Sequence, residues 1–163
     1  MTFRSSRLFA AAIIFGISSC AQPAREASAN APAETKETPP APKKPVRMNG
    51  RGKVSSISIS DLFTLQQSDK VLIFDARPHF FYSLGHIPGA IGMPKANCDV
   101  EIEKRDDEIK AALAAGKTIV VYCTNFLCPD ARTVATHLAS YGYSSSTLSG
   151  GWDSWKESGL PTE

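Results

Sequence analysis

Two short, uninterrupted apolar runs constrain the fold of this chain more than any other feature. Residues 71–74 read Val-Leu-Ile-Phe, and residues 118–122 read Thr-Ile-Val-Val-Tyr. A strand with one solvent-facing side alternates polar and apolar residues, whereas a strand buried on both faces, as in a parallel sheet, is apolar throughout. Helical patterns lie between these runs, so the sequence predicts an α/β domain built around a parallel sheet.

Three segments carry the residue spacing of helices. Residues 61–67 predict a short helix capped by Ser60, and residues 99–115 predict a longer helix. Residues 129–141 predict a third, because Pro129 suits a first helical turn and the apolar residues recur at spacings of three and four. Strands that alternate with helices in this way favour a parallel sheet.

The end of the chain predicts two further elements. Residues near 147–148 form a final strand, and residues 152–157 form a short helix whose Trp152 and Trp155 pack onto the core. We therefore expect one α/β domain over residues 54–163, which is long enough to fold around a core without disulfides or metals.

The first residues resemble a secretory signal peptide. Arg4 and Arg7 precede a ten-residue apolar run at 8–17, with no acidic residue before it. A helix needs about 20 apolar residues to cross a bilayer, so this run is too short for a stable anchor. We predict a signal peptide at residues 1–19 and export of the chain.

Residues 17–20 (Ile-Ser-Ser-Cys) resemble the bacterial lipoprotein box, which implies that Cys20 is lipid-modified and becomes the mature N-terminus. Several acyl chains anchor a protein to a membrane where one binds only weakly. The protein would then face the periplasm from the envelope. Ala21 is not the Asp that retains many lipoproteins at the inner membrane, so the outer membrane is favoured for a Gram-negative source. The alternative is an ordinary cleavage site and a free exported protein.

Residues 20–53 predict a disordered linker between the membrane and the domain. Six of the 11 prolines lie there among Ala, Glu, Lys and Thr, without apolar periodicity. Residues 21–53 hold seven basic and three acidic residues, and residues 54–163 hold nine basic and 13 acidic ones. Five of the seven basic residues lie within 43–53 without an acid among them, and they either contact anionic lipid or cell-wall polymer or belong to a solvated linker.

Charge and cysteine content exclude several classes of protein. The net charge is only +2 in 163 residues, which does not favour nucleic-acid binding. The four cysteines lack the paired spacing of a zinc site, so we predict no metal. We also expect no cofactor and a monomer. The cysteines are Cys20, Cys98, Cys123 and Cys128.

Cys123 is the candidate nucleophile. It follows the predicted strand 118–122, and Cys128 precedes Pro129 and the next predicted helix, which places residues 123–128 in a strand-to-helix loop. Ligands bind at such loops in open α/β sheets, and their free backbone N–H groups favour anions, including a thiolate. From position alone, a buried structural cysteine explains Cys123 equally well.

Four segments together resemble the rhodanese family of sulfurtransferase-like domains. They occur in the family's order and cover essentially residues 57–161. The segments are Val-Leu-Ile-Phe-Asp-Ala-Arg at 71–77, Gly-His-Ile-Pro-Gly-Ala at 85–90, Val-Val-Tyr-Cys at 120–123, and Leu-Ser-Gly-Gly-Trp-Asp-Ser-Trp at 148–155 followed by Gly-Leu-Pro at 159–161.

The resemblance implies a parallel five-stranded sheet with flanking helices and a catalytic Cys123. Such a cysteine accepts a sulfane sulfur as a persulfide and passes it to a thiol or another nucleophile. Asp75 and Arg77 match family residues near the active-site face, where Arg77 either supplies a cation or forms an ion pair with Asp75. The binding loop would comprise Thr124, Asn125, Phe126, Leu127 and Cys128.

The loop departs from the family pattern in ways that bear on the substrate. Related phosphatases carry an Arg at the end of a longer loop, whereas the sixth residue after Cys123 is Pro129, which disfavours phosphatase chemistry. Cys128 replaces a common basic residue, and Phe126 replaces a common Gly. Thiosulfate is therefore a weaker candidate for the physiological donor. In one interpretation Phe126 and Leu127 line a mouth for an organic persulfide, a polysulfide or a partner protein's thiol. Alternatively, Phe126 and Leu127 plug the loop onto the core.

Cys128 suggests a second mechanism. It either forms a disulfide with Cys123 and resolves a persulfide or sulfenate there, or serves as a passive helix cap. Three hypotheses follow: a sulfurtransferase, a thiol-disulfide or persulfide redox protein, and a non-catalytic binding module. For the other candidate groups we expect Cys98 to be a lone loop thiol, His86 to bond nearby backbone groups, and His79 and His137 to lack partners.

Overall fold

The structure, a computed structural model, describes residues 51–163. The predicted signal peptide at 1–19, the predicted lipidation site Cys20 and the predicted linker as far as residue 50 lie outside the described residues. Within 51–163, no helix is long and apolar enough to cross a membrane.

Five strands in the described residues form one sheet in the order β1-β5-β4-β2-β3, and every neighbouring pair is parallel. The predicted fold class is confirmed. The strands are β1 (Val54–Ile57), β2 (Val71–Asp75), β3 (Ile91–Gly92), β4 (Thr118–Tyr122) and β5 (Ser145–Leu148).

Helices cover both faces of the sheet. The helices are α1 (Ile59–Gln67), α2 (His79–Ser83), α3 (Cys98–Lys104), α4 (Asp106–Ala114), α5 (Asp130–Ser140) and α6 (Gly151–Glu157), with one 3-10 turn at Lys95–Asn97.

The central strands are buried on both faces, which explains their uninterrupted apolar sequence. Ile119 and Val121 of β4 belong to a core cluster that includes residues of α3, α4 and α5. Val120 and Tyr122 of the same strand belong to a second cluster that includes Leu62 of α1 and residues of α6. Because the side chains of a strand alternate between faces, one strand supplies both cores. Trp152 and Trp155 pack into the second cluster, as predicted.

Two predicted helices differ from the structure. The N-cap of α1 is Ser58, whose Oγ accepts a hydrogen bond from Asp61 N at 3.2 Å, so the predicted cap Ser60 lies inside the helix. The long helix predicted at 99–115 is divided at Arg105 into α3 and α4. Three acidic residues follow this break and favour a new helix start through the helix dipole.

Candidate functional site

Cys123 lies at the carboxyl end of the sheet, directly after β4, and it is buried at 3% relative exposure. The loop that it opens ends at Pro129, which is the N-cap of α5. This places the candidate nucleophile at the edge where ligands bind in open α/β sheets, as predicted.

The Gly-Gly-Trp segment after β5 holds the first residues of this loop. Trp152 N donates to the carbonyl oxygen of Cys123 at 2.8 Å, and Asp153 N donates to that of Thr124 at 2.9 Å. Gly151 has a φ of +61°, and a Cβ atom there would overlap the Cys123 carbonyl oxygen. The close approach of α6 to the loop therefore requires glycine at this position.

The middle of the loop is an Asn-centred turn. Asn125 Oδ1 accepts from Leu127 N at 3.1 Å, and Asn125 O accepts from Cys128 N at 3.1 Å. The backbone N–H groups of Thr124, Asn125 and Phe126 donate to no acceptor within residues 51–163. Internal hydrogen bonds therefore occupy none of these three N–H groups, and Asn125 and Phe126, though not Thr124, also line the cavity beside Cys123.

Cys123 and Cys128 form a disulfide in the structure, with their Cα atoms 6.1 Å apart. This separation lies within the usual range for disulfides. Cys128 therefore is not the free, passive cap that one interpretation expected, and the cap of α5 is Pro129. In this oxidised state Cys123 has no free thiol, and opening of the disulfide must precede any nucleophilic attack by Cys123.

A cavity of about 300 Å³ lies beside the disulfide, and both cysteines line it. Its wall also includes Ser149 and Gly150 from the segment after β5, and Arg132 from the first turn of α5. Sequence reasoning missed Arg132, because it sought a basic residue inside the loop. Arg132 places a cation at the cavity although the loop itself has none.

Phe126 and Leu127 do not plug the loop onto the core. Their exposed fractions are 84% and 86%, and both line the same cavity as Cys123. The interpretation of these side chains as core plugs is wrong. They form an apolar rim between the two cysteines that close the loop.

Asp75 and Arg77 form the ion pair that the sequence suggested. Arg77 Nη2 lies 2.6 Å from Asp75 Oδ2, and both side chains are buried at 3% exposure or less. Tyr122 donates its hydroxyl to the same oxygen at 2.7 Å, and Arg77 also donates to the carbonyl oxygen of Gly85 at 2.8 Å. Together, the ion pair and these two hydrogen bonds link the ends of β2 and β4 to the segment that follows α2.

Arg77 is not a second cation of the cavity. Neither it nor Asp75 lines the wall beside Cys123. The guanidinium instead lies over the Trp152 ring, 4.8 Å from its centroid. Burial alone would lower the pKa of Arg77, but the hydrogen bonds and charge of Asp75 raise it overall. The pKa of the Tyr122 hydroxyl is raised by burial and by Asp75.

His86 has a structural role, as expected. Its Nδ1 lies 3.1 Å from the carbonyl oxygen of Tyr82, and its ring stacks on the Tyr82 ring with a centroid distance of 3.9 Å. These contacts fix the segment of residues 85–90 to α2.

Cys98, Asp99 and His137 place three potential metal-ligand atoms within 4.8 Å of one another. His137 Nδ1 and Asp99 Oδ1 already bond each other at 2.8 Å, so His137 has a partner that its sequence pattern did not reveal. Cys98 is a free thiol, but it is buried in the core at the start of α3 rather than exposed in a loop. Burial, together with the charge of Asp99, raises the pKa of this thiol. The arrangement joins α3 to α5.

A second group of potential ligands comprises Cys123, Cys128 and Asp130. Its two sulfur atoms are bonded to each other. Asp130 forms an ion pair with Lys95 at 2.5 Å. In this oxidised state the group offers no thiolate to a metal.

Comparisons with known proteins identify the domain. The family model described as "Rhodanese-like domain" matches residues 58–158. An HTH-type transcriptional regulator of Mycobacterium tuberculosis is 33% identical over 111 residues, which cover 66% of this chain and 44% of that protein. The match thus spans less than half the length of this relative.

Solved structures show the same fold. A Bacillus halodurans protein matches with a TM-score of 0.55 and 26% identity, covering 67% of this chain and 76% of that one. The rhodanese-like domain of an Anabaena protein matches with a TM-score of 0.50 and 26% identity, covering 66% and 77%. A rhodanese-related protein of Thermoplasma volcanium, 23% identical, shares the fold with a TM-score of 0.51 over 67% and 97%.

The parallel sheet, the position of Cys123 at its carboxyl edge and the match to the family model over residues 58–158 agree. The chain therefore belongs to the rhodanese-like domain family.

Proposed function

We propose that the protein is a sulfurtransferase in which Cys123 accepts a sulfane sulfur as a persulfide and passes it to a thiol or another nucleophile. One observation carries the proposal: Cys123 lines a cavity at the carboxyl edge of the sheet, in a loop where three backbone N–H groups have no acceptor within residues 51–163. Membership of the rhodanese-like family supports this reaction class.

The reaction begins with the reduced loop. The Cys123 thiolate attacks the terminal sulfur of the donor, the bond between that sulfur and the rest of the donor breaks, and sulfite or a shortened polysulfide leaves with the electron pair. An acceptor thiolate then attacks the outer persulfide sulfur and restores the Cys123 thiolate. The available loop N–H groups stabilise negative charge at Cys123 and on its persulfide, and Arg132 attracts an anionic donor to the cavity.

Intact mass measurement tests this function. The full chain in detergent is reduced, freed of reductant and incubated with thiosulfate or, separately, with a polysulfide. We expect a gain of one sulfur atom that maps to Cys123 and disappears in Cys123→Ser. Cys98→Ser is the matched control, because Cys98 is a buried thiol outside the cavity. A sulfur gain that survives Cys123→Ser, or no gain with any donor, would contradict the proposal.

A second candidate function is favoured by the disulfide between Cys123 and Cys128. In this redox mechanism the Cys128 thiolate attacks the inner sulfur of the Cys123 persulfide. The disulfide forms and hydrosulfide leaves with the electron pair. Loss of two hydrogen atoms at this pair, with release of hydrosulfide after one donor turnover, would distinguish this function from transfer to an external acceptor. A Cys128→Ser variant would retain the persulfide.

We further propose that the protein is exported and tethered to the bacterial envelope through lipid on Cys20, facing the periplasm. An outer-membrane position is favoured if the source is Gram-negative. The support lies in the sequence, in the apolar run at 8–17 and the Ile-Ser-Ser-Cys box at 17–20. Membrane fractionation and intact mass test it. Cys20→Ala should abolish the lipid adduct and release the exported chain from membranes, whereas equal membrane retention of both chains would contradict the tether.

A further inference from the structure

The two sulfur-bearing residues of the disulfide differ in accessibility. Cys123 is 3% exposed and belongs to the core cluster on the α5 side of the sheet. Cys128 is only half-buried and packs at the edge of that cluster. The disulfide therefore has an inner end at Cys123 and an outer end at Cys128.

In thiol-disulfide exchange, this difference in exposure affects which of the two sulfur atoms an external thiolate attacks. The attacking thiolate approaches one sulfur along the S–S axis, and the other sulfur leaves as a thiolate. Attack on Cys123 must come from the side of that sulfur opposite Cys128, and only 3% of the Cys123 surface is exposed to an external thiol. Attack on Cys128 comes from the side opposite Cys123, at the more exposed end.

Cys123 is also the better leaving group of the two cysteines. Exchange is faster when the departing thiolate is stabilised. The N–H groups of Thr124, Asn125 and Phe126, which have no acceptor within residues 51–163, lie in the loop that Cys123 opens. Negative charge that develops on Cys123 during exchange thus has donors available in the same loop.

Charged groups near Cys128 permit the approach of a thiolate. Asp130 has a carboxylate oxygen within 4.8 Å of both sulfur atoms, and it would repel an incoming anion. Lys95 forms an ion pair with this carboxylate, and Arg132 adds a cation on the wall of the cavity. The negative charge of Asp130 is therefore balanced by neighbouring cations.

From these observations we propose that Cys128 is the reaction site for an external thiol, which opens the disulfide through a mixed disulfide on Cys128 and releases Cys123. The proposal deepens the proposed function and rests on it in one respect: the sulfur released is the one assigned as sulfur acceptor. The oxidised state is then an inactive form that a thiol reductant converts to the active one.

The exchange is balanced with two thiols or one dithiol. The first thiolate forms an S–S bond with Cys128, and the bond between Cys123 and Cys128 breaks with its electron pair on Cys123. The second thiolate attacks the sulfur of the first, and Cys128 leaves as a thiolate. The reductant is oxidised to a disulfide by two electrons, and the loop gains two electrons.

Mass mapping of the oxidised full chain in detergent tests the proposal without a substitution. Glutathione alone is added to the oxidised chain, portions are quenched after short intervals with an excess of N-ethylmaleimide over all thiols, and the digested peptides are analysed. We expect glutathione on Cys128 and maleimide on Cys123, with this arrangement exceeding the reverse by at least about tenfold. Cys98, which is free and buried, reports maleimide access to the core.

The reverse arrangement, with glutathione on Cys123 and maleimide on Cys128, would overturn the proposal. An equal mixture, or a disulfide that glutathione does not open, would also overturn it. A parallel sample is fully reduced and given thiosulfate or polysulfide. Absence of a persulfide on Cys123 there would contradict the proposed sulfurtransferase while leaving the assignment of the attacked sulfur intact, so the two failures are distinguishable.

Discussion

The backbone N–H of Trp152 donates a 2.8 Å hydrogen bond to the carbonyl oxygen of Cys123. This bond joins the first turn of α6 to the residue that carries the proposed chemistry. It requires that the chain before Trp152 pass very close to the loop, and Gly151 makes this approach with a φ of +61°. The Gly-Gly-Trp segment after β5 therefore positions the loop that Cys123 opens.

Gly151→Ala should destabilise the domain by about 2–4 kcal/mol, because the left-handed backbone and the overlap with the Cys123 carbonyl oxygen both oppose a Cβ. Gly159→Ala is the matched control. Its φ is +67°, but no heavy atom lies within 4 Å of an added Cβ. It should lose only about 1–2 kcal/mol. Urea unfolding of both variants measures the difference, and equal losses would show that close packing at Gly151 is unimportant.

Asp75→Asn should destabilise the domain by about 3–5 kcal/mol, because it leaves the buried Arg77 guanidinium without its carboxylate. The double variant Asp75→Asn with Arg77→Met removes the unpaired charge and should recover part of that loss. Asp69→Asn, which alters an exposed ion pair with Lys117, should change the thermal midpoint very little. Thermal and urea unfolding of the three variants provide the measurement. No recovery in the double variant would indicate that the carboxylate acts mainly on Tyr122.

The central sheet was predictable from sequence because burial on both faces gives β2 and β4 uninterrupted apolar runs at 71–74 and 119–121. β3 has only two residues and α2 only five, which is too short for any periodicity to show. The chain contains neither Gly nor Pro at the break between α3 and α4 near Arg105, so its sequence pattern is that of one continuous helix.

The candidate site was predictable in part. The position of Cys123 follows from the strand before it and the helix after it, which are local features. The disulfide depends on a Cα separation that no spacing fixes, since the six-residue loop 123–128 can hold its two cysteines near or apart. The sequence did not predict Arg132 as a cavity residue, because it lies in the helix after the loop and not in the loop itself.

Asp106→Asn should reduce stability at neutral pH by less than about 1 kcal/mol, because the ion pair that it breaks with Lys110 is largely exposed. Hydrogen bonds from Lys110 and from the Tyr143 hydroxyl lower the pKa of Asp106 in the folded state. A lowered pKa contributes stability above the unfolded-state value, and that contribution disappears as the pH falls through the folded value. The wild type and variant should therefore converge below about pH 4. Urea unfolding from pH 7 to pH 3 measures this, and a constant difference would contradict the pKa shift.

The double change Phe126→Ser with Leu127→Ser should slow exchange with a protein dithiol several-fold and leave exchange with glutathione nearly unchanged. The exposed apolar rim adds contact area for a large partner, whereas glutathione needs access only to Cys128. Phe80→Ser with Leu84→Ser removes two other exposed apolar side chains and is the matched control. Rates with a thioredoxin-type dithiol and with glutathione are compared by mass mapping. Equal slowing by both double variants would argue against a specific role of the rim.

Arg132→Gln should raise the KM for thiosulfate by about tenfold, equivalent to about 1.4 kcal/mol, and change kcat little. Arg132 is the cation on the cavity wall, and under the proposed function it would attract the dianion before sulfur transfer begins. Arg132→Lys keeps the charge and should recover most of the affinity, because an exposed site depends more on charge than on bidentate geometry. Raising the salt concentration should weaken thiosulfate binding to the wild type and have a smaller effect on Arg132→Gln. Steady-state kinetics with reduced protein at two ionic strengths provide the measurement. The same KM in both proteins would mean that the donor reaches Cys123 without Arg132, and the loop N–H groups would then be the main anion-binding elements.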